Sequence, residues 1–183
     1  FYNGIVQGIL IALGYIILPT ERLQQELREQ AALDPLTGIF NRRAFFEAAS
    51  GRIAEAVRAR QPVSLLAVDL DHFKRINDGF GHGVGDRVLR HFVRTARREL
   101  REQDTMARFG GEEFVALLPR VCVAEAEGVA ERLARRFADA PLVVDGRRVE
   151  ATVSVGVAEL DAGRERLEGL LERADDALYR AKS

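Results

Sequence analysis

Arg108-Phe-Gly-Gly-Glu-Glu-Phe114 joins two β-type runs, Met106 to Phe109 and Phe114 to Leu118. A Gly-Gly pair flanked this way predicts the tight turn of a β-hairpin, because both residues tolerate φ > 0. The same glycines leave bare backbone against which a ligand can lie. Glu112 and Glu113 occupy successive positions, so a strand points them to opposite faces. The turn by itself fits two readings. It is a hairpin with solvated acids, or a hairpin in which one acid faces a cation.

The nearest upstream strand signal is Val63 to Val68, a near-continuous apolar run that predicts a central strand buried on both faces. It runs directly into Asp69-Leu-Asp71. A carboxylate at the end of such a strand is costly to bury unless it is paired or bound to a cation. A strand also fixes its position rigidly, which suits a metal ligand. A short helix over 72–78 follows, then Gly79-Phe-Gly-His-Gly-Val-Gly85 with glycine at alternate positions. No Gly-Lys-Ser/Thr follows and GxGxxG does not fit, so this is neither a Walker loop nor a dinucleotide turn, and a Gly-rich turn between helices is the first reading. Its flanks are Asn77 and Asp86. An amide offers donor and acceptor and a carboxylate offers two acceptors. Together they match both the O6/N7 and the N1–H/N2–H₂ edges of guanine, whereas adenine leaves them unpaired.

The remaining elements follow from periodicity. Asn41 caps a helix running to about Arg60, and Gln61-Pro62 ends it. Val84 to Glu102 is an amphipathic helix with a face of arginines, read as solvated surface. Helices over 124–138 and 165–182, a small hairpin around Asp145-Gly146 and a strand over 152–157 complete the chain. The core order is βαββαβ. It predicts an α/β (α+β) fold with an antiparallel-rich sheet, ferredoxin-like or polymerase-palm, and helices mostly on one face. The strand ending in Asp69 then lies beside the hairpin of Glu112 and Glu113, and the carboxylates converge on the uncovered side.

Composition bounds the partners. The 183 residues are 47% hydrophobic and 30% charged, with a net charge of −1, so no global basic field exists for nucleic acid. Cys122 is the only cysteine, which leaves no disulfide framework and no cysteine-based zinc site. A metal site must be built from carboxylates, which favours Mg²⁺ or Mn²⁺. Residues 1–18 carry no charge and hold a Gly4/Gly8 GxxxG pattern. As a helix they would span about 27 Å, slightly less than a bilayer core. They are expected to be the end of a transmembrane helix, with a buried soluble segment as the other reading. Thr20 is the expected N-cap of a helical stalk within 19–33 that pairs with its own copy through Leu23 and Leu27. Asp34-Pro-Leu-Thr-Gly38 breaks that helix, and a globular domain over 34–183 begins there.

With these motifs in place, the chain resembles the GGDEF family of diguanylate cyclases. Gly110-Gly-Glu-Glu-Phe114 is the glutamate variant of the family signature. Val68-Asp-Leu-Asp-His-Phe-Lys74, Asn77, Gly81-His-Gly83, Gly85-Asp86, Arg108-Phe109, Val153-Ser-Val-Gly156 and Ala174-Asp-Asp-Ala-Leu-Tyr-Arg-Ala-Lys182 follow in the family's order and spacing. Asp34-Pro-Leu-Thr37 with Asn41-Arg42 is similar to the family's usual entry.

The resemblance implies that two GTP become cyclic di-GMP with release of pyrophosphate. It implies that Asp69, the Leu70 carbonyl and Glu113 hold Mg²⁺ (or Mn²⁺). Glu112 helps deprotonate the attacking 3′-hydroxyl or binds a second metal, a choice left open. Asn77 and Asp86 read guanine, while Lys74, Lys182 and backbone amides near Phe73 contact phosphates, and Gly110 and Gly111 let the nucleotide lie against backbone. Arg101 and Asp104 have the spacing of the family's inhibitory site, with Arg132 as a supporting arginine and cyclic di-GMP as feedback inhibitor. One GTP per domain implies a homodimer. The N-terminal segment implies the bacterial inner (cytoplasmic) membrane, with the catalytic domain in the cytoplasm. The alternative reading is a non-catalytic GGDEF-like domain that binds GTP or cyclic di-GMP and signals by contact.

Overall fold

The computed structural model describes residues 32–161 and 166–182. The expected transmembrane segment, 1–18, and the stalk helix up to residue 31 lie outside the described residues. Among the described residues no helix is long and apolar enough to cross a membrane.

A short strand β1 (Phe40–Asn41) leads into helix α1 (Arg42–Ala59). Asn41 caps this helix as expected, its Oδ1 accepting the Ala44 N–H at 2.9 Å. Strand β2 (Val63–Leu70) is buried at all eight positions. Helices α2 (Phe73–Phe80) and α3 (His82–Glu99) follow, then strands β3 (Thr105–Arg108) and β4 (Glu113–Pro119). Helix α4 (Val123–Ala138), a small hairpin β5 (Leu142–Val144) and β6 (Arg147–Val149), strand β7 (Val153–Glu159) and helix α5 (Leu167–Ala181) complete it.

The main sheet has the order β1-β3-β4-β2-β7, and β5 and β6 form a separate pair. All neighbours are antiparallel except the marginal β1–β3 pair. Leaving out β1, the order is that of a ferredoxin-like βαββαβ unit, the expected palm arrangement. The β1 edge strand has too few residues to leave a periodic trace in the sequence.

One expectation fails. The helices are not mostly on one face. Leu66, Val68, Leu70, Phe114 and Ala116 point into a core with Phe73, Phe92, Leu133 and Phe137 of α2, α3 and α4. Leu65, Ala67, Val115 and Leu117 point the other way, onto Phe45 and Ile53 of α1 and Leu170 and Ala174 of α5. A central strand that is apolar on both faces requires cover on both. The amphipathic first and last helices supply the second layer. The carboxylates therefore emerge at the rim of a covered face.

The β7–α5 packing is set by one glycine. A Cβ on Gly156 would collide with the Ala174 carbonyl and the Leu178 backbone. Backbone cannot move aside as a side chain can, so Gly156→Ala is expected to destabilise the domain by roughly 2–3 kcal/mol or more. Gly51, on the exposed side of α1, has open space around its missing Cβ. There Gly→Ala should stabilise by about 0.5–1 kcal/mol. Urea unfolding of both variants checks the pair. A Gly156→Ala variant as stable as wild type would show that the two elements are not in backbone contact.

Candidate active site

The site begins at the end of β2. Asp69 pairs in register with Glu113 of β4. Side chains alternate along each strand, so Asp69 follows Leu65 and Ala67, while Glu113 precedes Val115 and Leu117. Both carboxylates thus face the side covered by α1 and α5. Asp69 is buried, with its Oδ1 2.6 Å from the Lys182 ammonium just beyond α5. A cavity of about 250 Å³ opens there, lined by Asp69, Glu113, Phe109, Asp175, Tyr179 and Lys182 among others.

The signature turn differs from the tight hairpin expected. Four residues, 109–112, separate β3 and β4, and neither Gly110 nor Gly111 has a positive φ. The longer loop rounds the corner with ordinary backbone angles; the Phe109 N–H donates to the Glu113 carbonyl at 2.8 Å. Glycine at 110 has another cause, since a Cβ there would meet the Glu113 carboxylate. Nothing lies within 4 Å of a Cβ built on Gly111, so backbone there is open to a ligand. The Gly111 carbonyl is held at 2.7 Å by Arg108. The same guanidinium reaches both oxygens of Asp34, at 3.2 and 3.3 Å. Asp34 also accepts the Thr37 N–H at 2.9 Å, so the entry turn and the signature turn share one side chain.

Glu112 is half-buried beside the pair. Burial first, then the charge of Asp69, raises its pKa above the ordinary value, while Lys182 opposes the rise. Asp175 across the cavity is raised by burial and by Glu113, with Arg42 opposing. The Arg42 guanidinium stands over Phe46 and Phe109, which stack with ring centroids 5.9 Å apart. Neither Asp175 nor this aromatic shelf was visible as a site element in the sequence.

On the other side of Asp69 the chain turns into α2. Leu70 is buried, with its side chain in the core, so only its backbone is available to a ligand. His72 adopts the left-handed region, φ 54° and ψ 28°, at an expense of about 1–2 kcal/mol for a residue with a Cβ. Phe73 is buried and Lys74 exposed. Asn77 on α2 and Asp86 on α3 flank the junction of the two helices, and the four glycines between them have different reasons. Gly81 alone takes a positive φ, +83°. At Gly85 a Cβ would collide with the Asn77 carboxamide and press on the Phe73 ring. Gly79 and Gly83 have open space. Asn77 and Asp86 do not line the cavity beside Asp69.

Arg101 and Asp104 close a separate turn. Asp104 Oδ2 accepts the Arg101 N–H at 2.7 Å, and the Asp104 N–H donates to the Arg101 carbonyl at 3.0 Å. With Arg97, Phe40 and Met106 they line a groove of about 500 Å³. Asp104 Oδ1 is buried with no donor. Arg132 does not line this groove. Its guanidinium lies 3.6 Å from Glu99, which Arg136 also approaches at 2.9 Å.

The donor set fits a hard cation. Two carboxylates face one cavity, one of them buried and already beside a positive charge. Among the described residues no three His, Cys, Asp or Glu converge as a cage. Mg²⁺ is commonly held by one or two carboxylates with a substrate's phosphates, so the pair suffices.

Residues 31–183 match the family described as "Diguanylate cyclase, GGDEF domain". Diguanylate cyclase DgcP of Pseudomonas aeruginosa is 43% identical over 158 residues, covering 86% of this chain and 23% of that protein. The chain spans less than half the length of such curated relatives; for response regulator PleD of Caulobacter vibrioides the share is 35% at 40% identity. The crystal structure of the GGDEF domain of DgcB from Caulobacter crescentus, in complex with c-di-GMP, superposes with a TM-score of 0.79 at 34% identity. It covers 84% of this chain and 88% of that one. A profile match over this much of the chain, joined to relatives of this identity, decides the assignment: the chain belongs to the GGDEF-domain family of diguanylate cyclases.

Proposed function

We propose that this chain condenses two GTP into cyclic di-GMP with release of pyrophosphate, working as a homodimer. The observation that carries this reading is the Asp69–Glu113 register, which aims two carboxylates of adjacent strands into one cavity. Asp69, Glu113 and the Leu70 carbonyl would hold Mg²⁺ or Mn²⁺. A bound divalent ion there supplies Lewis acidity, easing ionisation of the 3′-hydroxyl and neutralising charge on the phosphates. Asn77 and Asp86 read the guanine edge. Lys74 and the amides of Phe73 and Lys74 receive the phosphates, and the open backbone of Gly111 lies beside them. Glu112 accepts the 3′-hydroxyl proton or helps to hold a second cation. Lys182 neutralises Asp69 in the free protein and would contact the phosphates of a bound GTP.

Each domain binds one GTP, so the two reacting nucleotides meet only across a dimer. A self-pairing stalk over 19–33 raises the effective concentration of one site for the other. Residues 1–18 tether the chain to the bacterial inner membrane, with the catalytic domain in the cytoplasm. The Arg101/Asp104 groove takes cyclic di-GMP as a feedback inhibitor. The lining of one groove by both Arg101 and Asp104 supports this.

The test is incubation of the purified chain with GTP and Mg²⁺, with chromatography of the products. Cyclic di-GMP is expected; GTP binding without any cyclic dinucleotide at high protein concentration favours the non-catalytic alternative. Glu113→Ala should lower kcat at least about 100-fold with the fold intact by circular dichroism, the scale of losing a main electrostatic stabiliser. Retained activity removes Glu113 from the metal site.

Arg101→Ala should relieve product inhibition, and an unchanged inhibition constant sinks the feedback assignment. Asp104 also yields a pH prediction. Burial raises its pKa above 3.8 in the folded protein, against the backbone hydrogen bond and charge of Arg101. A carboxyl raised in this sense favours folding when protonated. That contribution is complete below the unfolded value and is lost as pH rises through the folded one. In the ligand-free protein Asp104→Asn should therefore melt higher than wild type at pH 7, by on the order of 1–3 °C given partial exposure. The gap should close as pH falls towards 3.8. A gap that stays constant with pH contradicts the assignment.

A further inference from the structure

Asp71 lies outside the ligand set proposed above, yet its carboxylate is fully engaged. Oδ2 accepts the Thr152 hydroxyl and Oδ1 the Ser154 hydroxyl, each at 2.6 Å. The Asp71 N–H donates to the Thr152 carbonyl at 2.9 Å. Residues two apart on a strand share a face, so Thr152 and Ser154 present their hydroxyls side by side. The three bonds extend the β2–β7 ladder one residue beyond its last register pair, Leu70 with Val153.

The next residue is His72, in the left-handed region and without a side-chain cap for α2. A strained non-glycine residue persists only where its surroundings over-determine it. Asp71 is the anchor on its N-terminal side. On the C-terminal side, Arg75 and Ile76 donate back to the His72 carbonyl at 2.8 and 3.4 Å. The two preceding amides, of Phe73 and Lys74, have no acceptor within the helix. Their direction is fixed by the backbone angles of His72, and those by Asp71.

We propose that Asp71 is a positioning residue, its carboxylate clamped by Thr152 and Ser154 so that the turn into α2 aims the Phe73 and Lys74 amides at the triphosphate of the nucleotide. The proposal rests on the reading that the chain binds GTP. It assigns Asp71 geometry and no charge role. Both oxygens are occupied by hydroxyl donors, Thr152 just before β7 and Ser154 on it.

The test measures affinity by calorimetry in Mg²⁺ with 3′-deoxy-GTP, which binds without the attacking hydroxyl, and with GMP, which lacks the outer phosphates. Asp71→Ala should weaken 3′-deoxy-GTP at least about tenfold, the scale of misplacing hydrogen bonds to a charged group. GMP affinity should stay within about twofold, because guanine recognition is untouched. The double variant Thr152→Val/Ser154→Ala should shift the same ratio, and it carries the test if Asp71→Ala does not fold. Asp71→Asn can bond to both hydroxyls and should restore near wild-type affinity.

Asn as damaging as Ala means the charge itself acts, and overturns the clamp. Equal weakening of GMP and 3′-deoxy-GTP means general loosening, and overturns it too. Unchanged 3′-deoxy-GTP affinity in Asp71→Ala does the same. Wild-type chain that binds 3′-deoxy-GTP but makes no product from GTP defeats the catalytic reading alone, and the affinity ratio still decides the clamp. Wild-type chain that binds neither nucleotide overturns both.

Discussion

The site depends on one electrostatic constraint, the placing of Asp69 at the end of a strand buried along its whole length. Burying a carboxylate there is costly without a partner charge. Glu113 opposite adds a second negative charge on the same face rather than relieving the first. The Lys182 ammonium meets the need, and it does so from the far end of the chain. The close approach of β7 and α5 at Gly156 is therefore electrostatic as well as steric in its effect. It sets the height of the helix whose end delivers the compensating charge. Burial first, and the neighbouring carboxylates second, raise Glu112 and Asp175 beside the same pair.

Much of this was legible in the sequence because it is local. The apolar run of β2 announces a strand with two dry faces, and a carboxylate at its end is conspicuous at once. The hairpin beside it follows from the run after Glu113. The same two-faced run already demanded helices on both sides of the sheet, an implication that βαββαβ analogy overrode. The glycines are less legible. The spacing of Gly79, Gly81, Gly83 and Gly85 is uniform, yet only one needs a positive φ and only one is pressed by a neighbour. Gly110 was expected to shape a tight turn and instead makes room for the carboxylate three residues on.

What escaped the sequence were contacts between distant residues. Arg108 finds Asp34, and Asp71 finds Thr152 and Ser154, through tertiary folding that leaves no periodic signal. The arginine face of α3 is solvent-exposed, as its pattern implies. Arg90 and Arg97 nevertheless reach the Leu36 and Gly38 carbonyls of the entry turn, at 3.2 and 2.9 Å. Long side chains lie along a surface and use its exposed backbone acceptors, which a helical pattern does not reveal.

The shared use of Arg108 bears on modularity. Its guanidinium serves the Asp34 turn, through which the chain enters the domain, and the Gly111 carbonyl of the signature turn. The entry turn is thus wired to the signature turn, not a neutral joint before it. A chimaera that grafts this domain onto another input must carry the graft point upstream of Asp34. A cut placed at Asn41, where the first helix begins, would look clean in the secondary structure. It would also strip the signature turn of its buttress, leaving a guanidinium with one carbonyl where it had held a carboxylate as well.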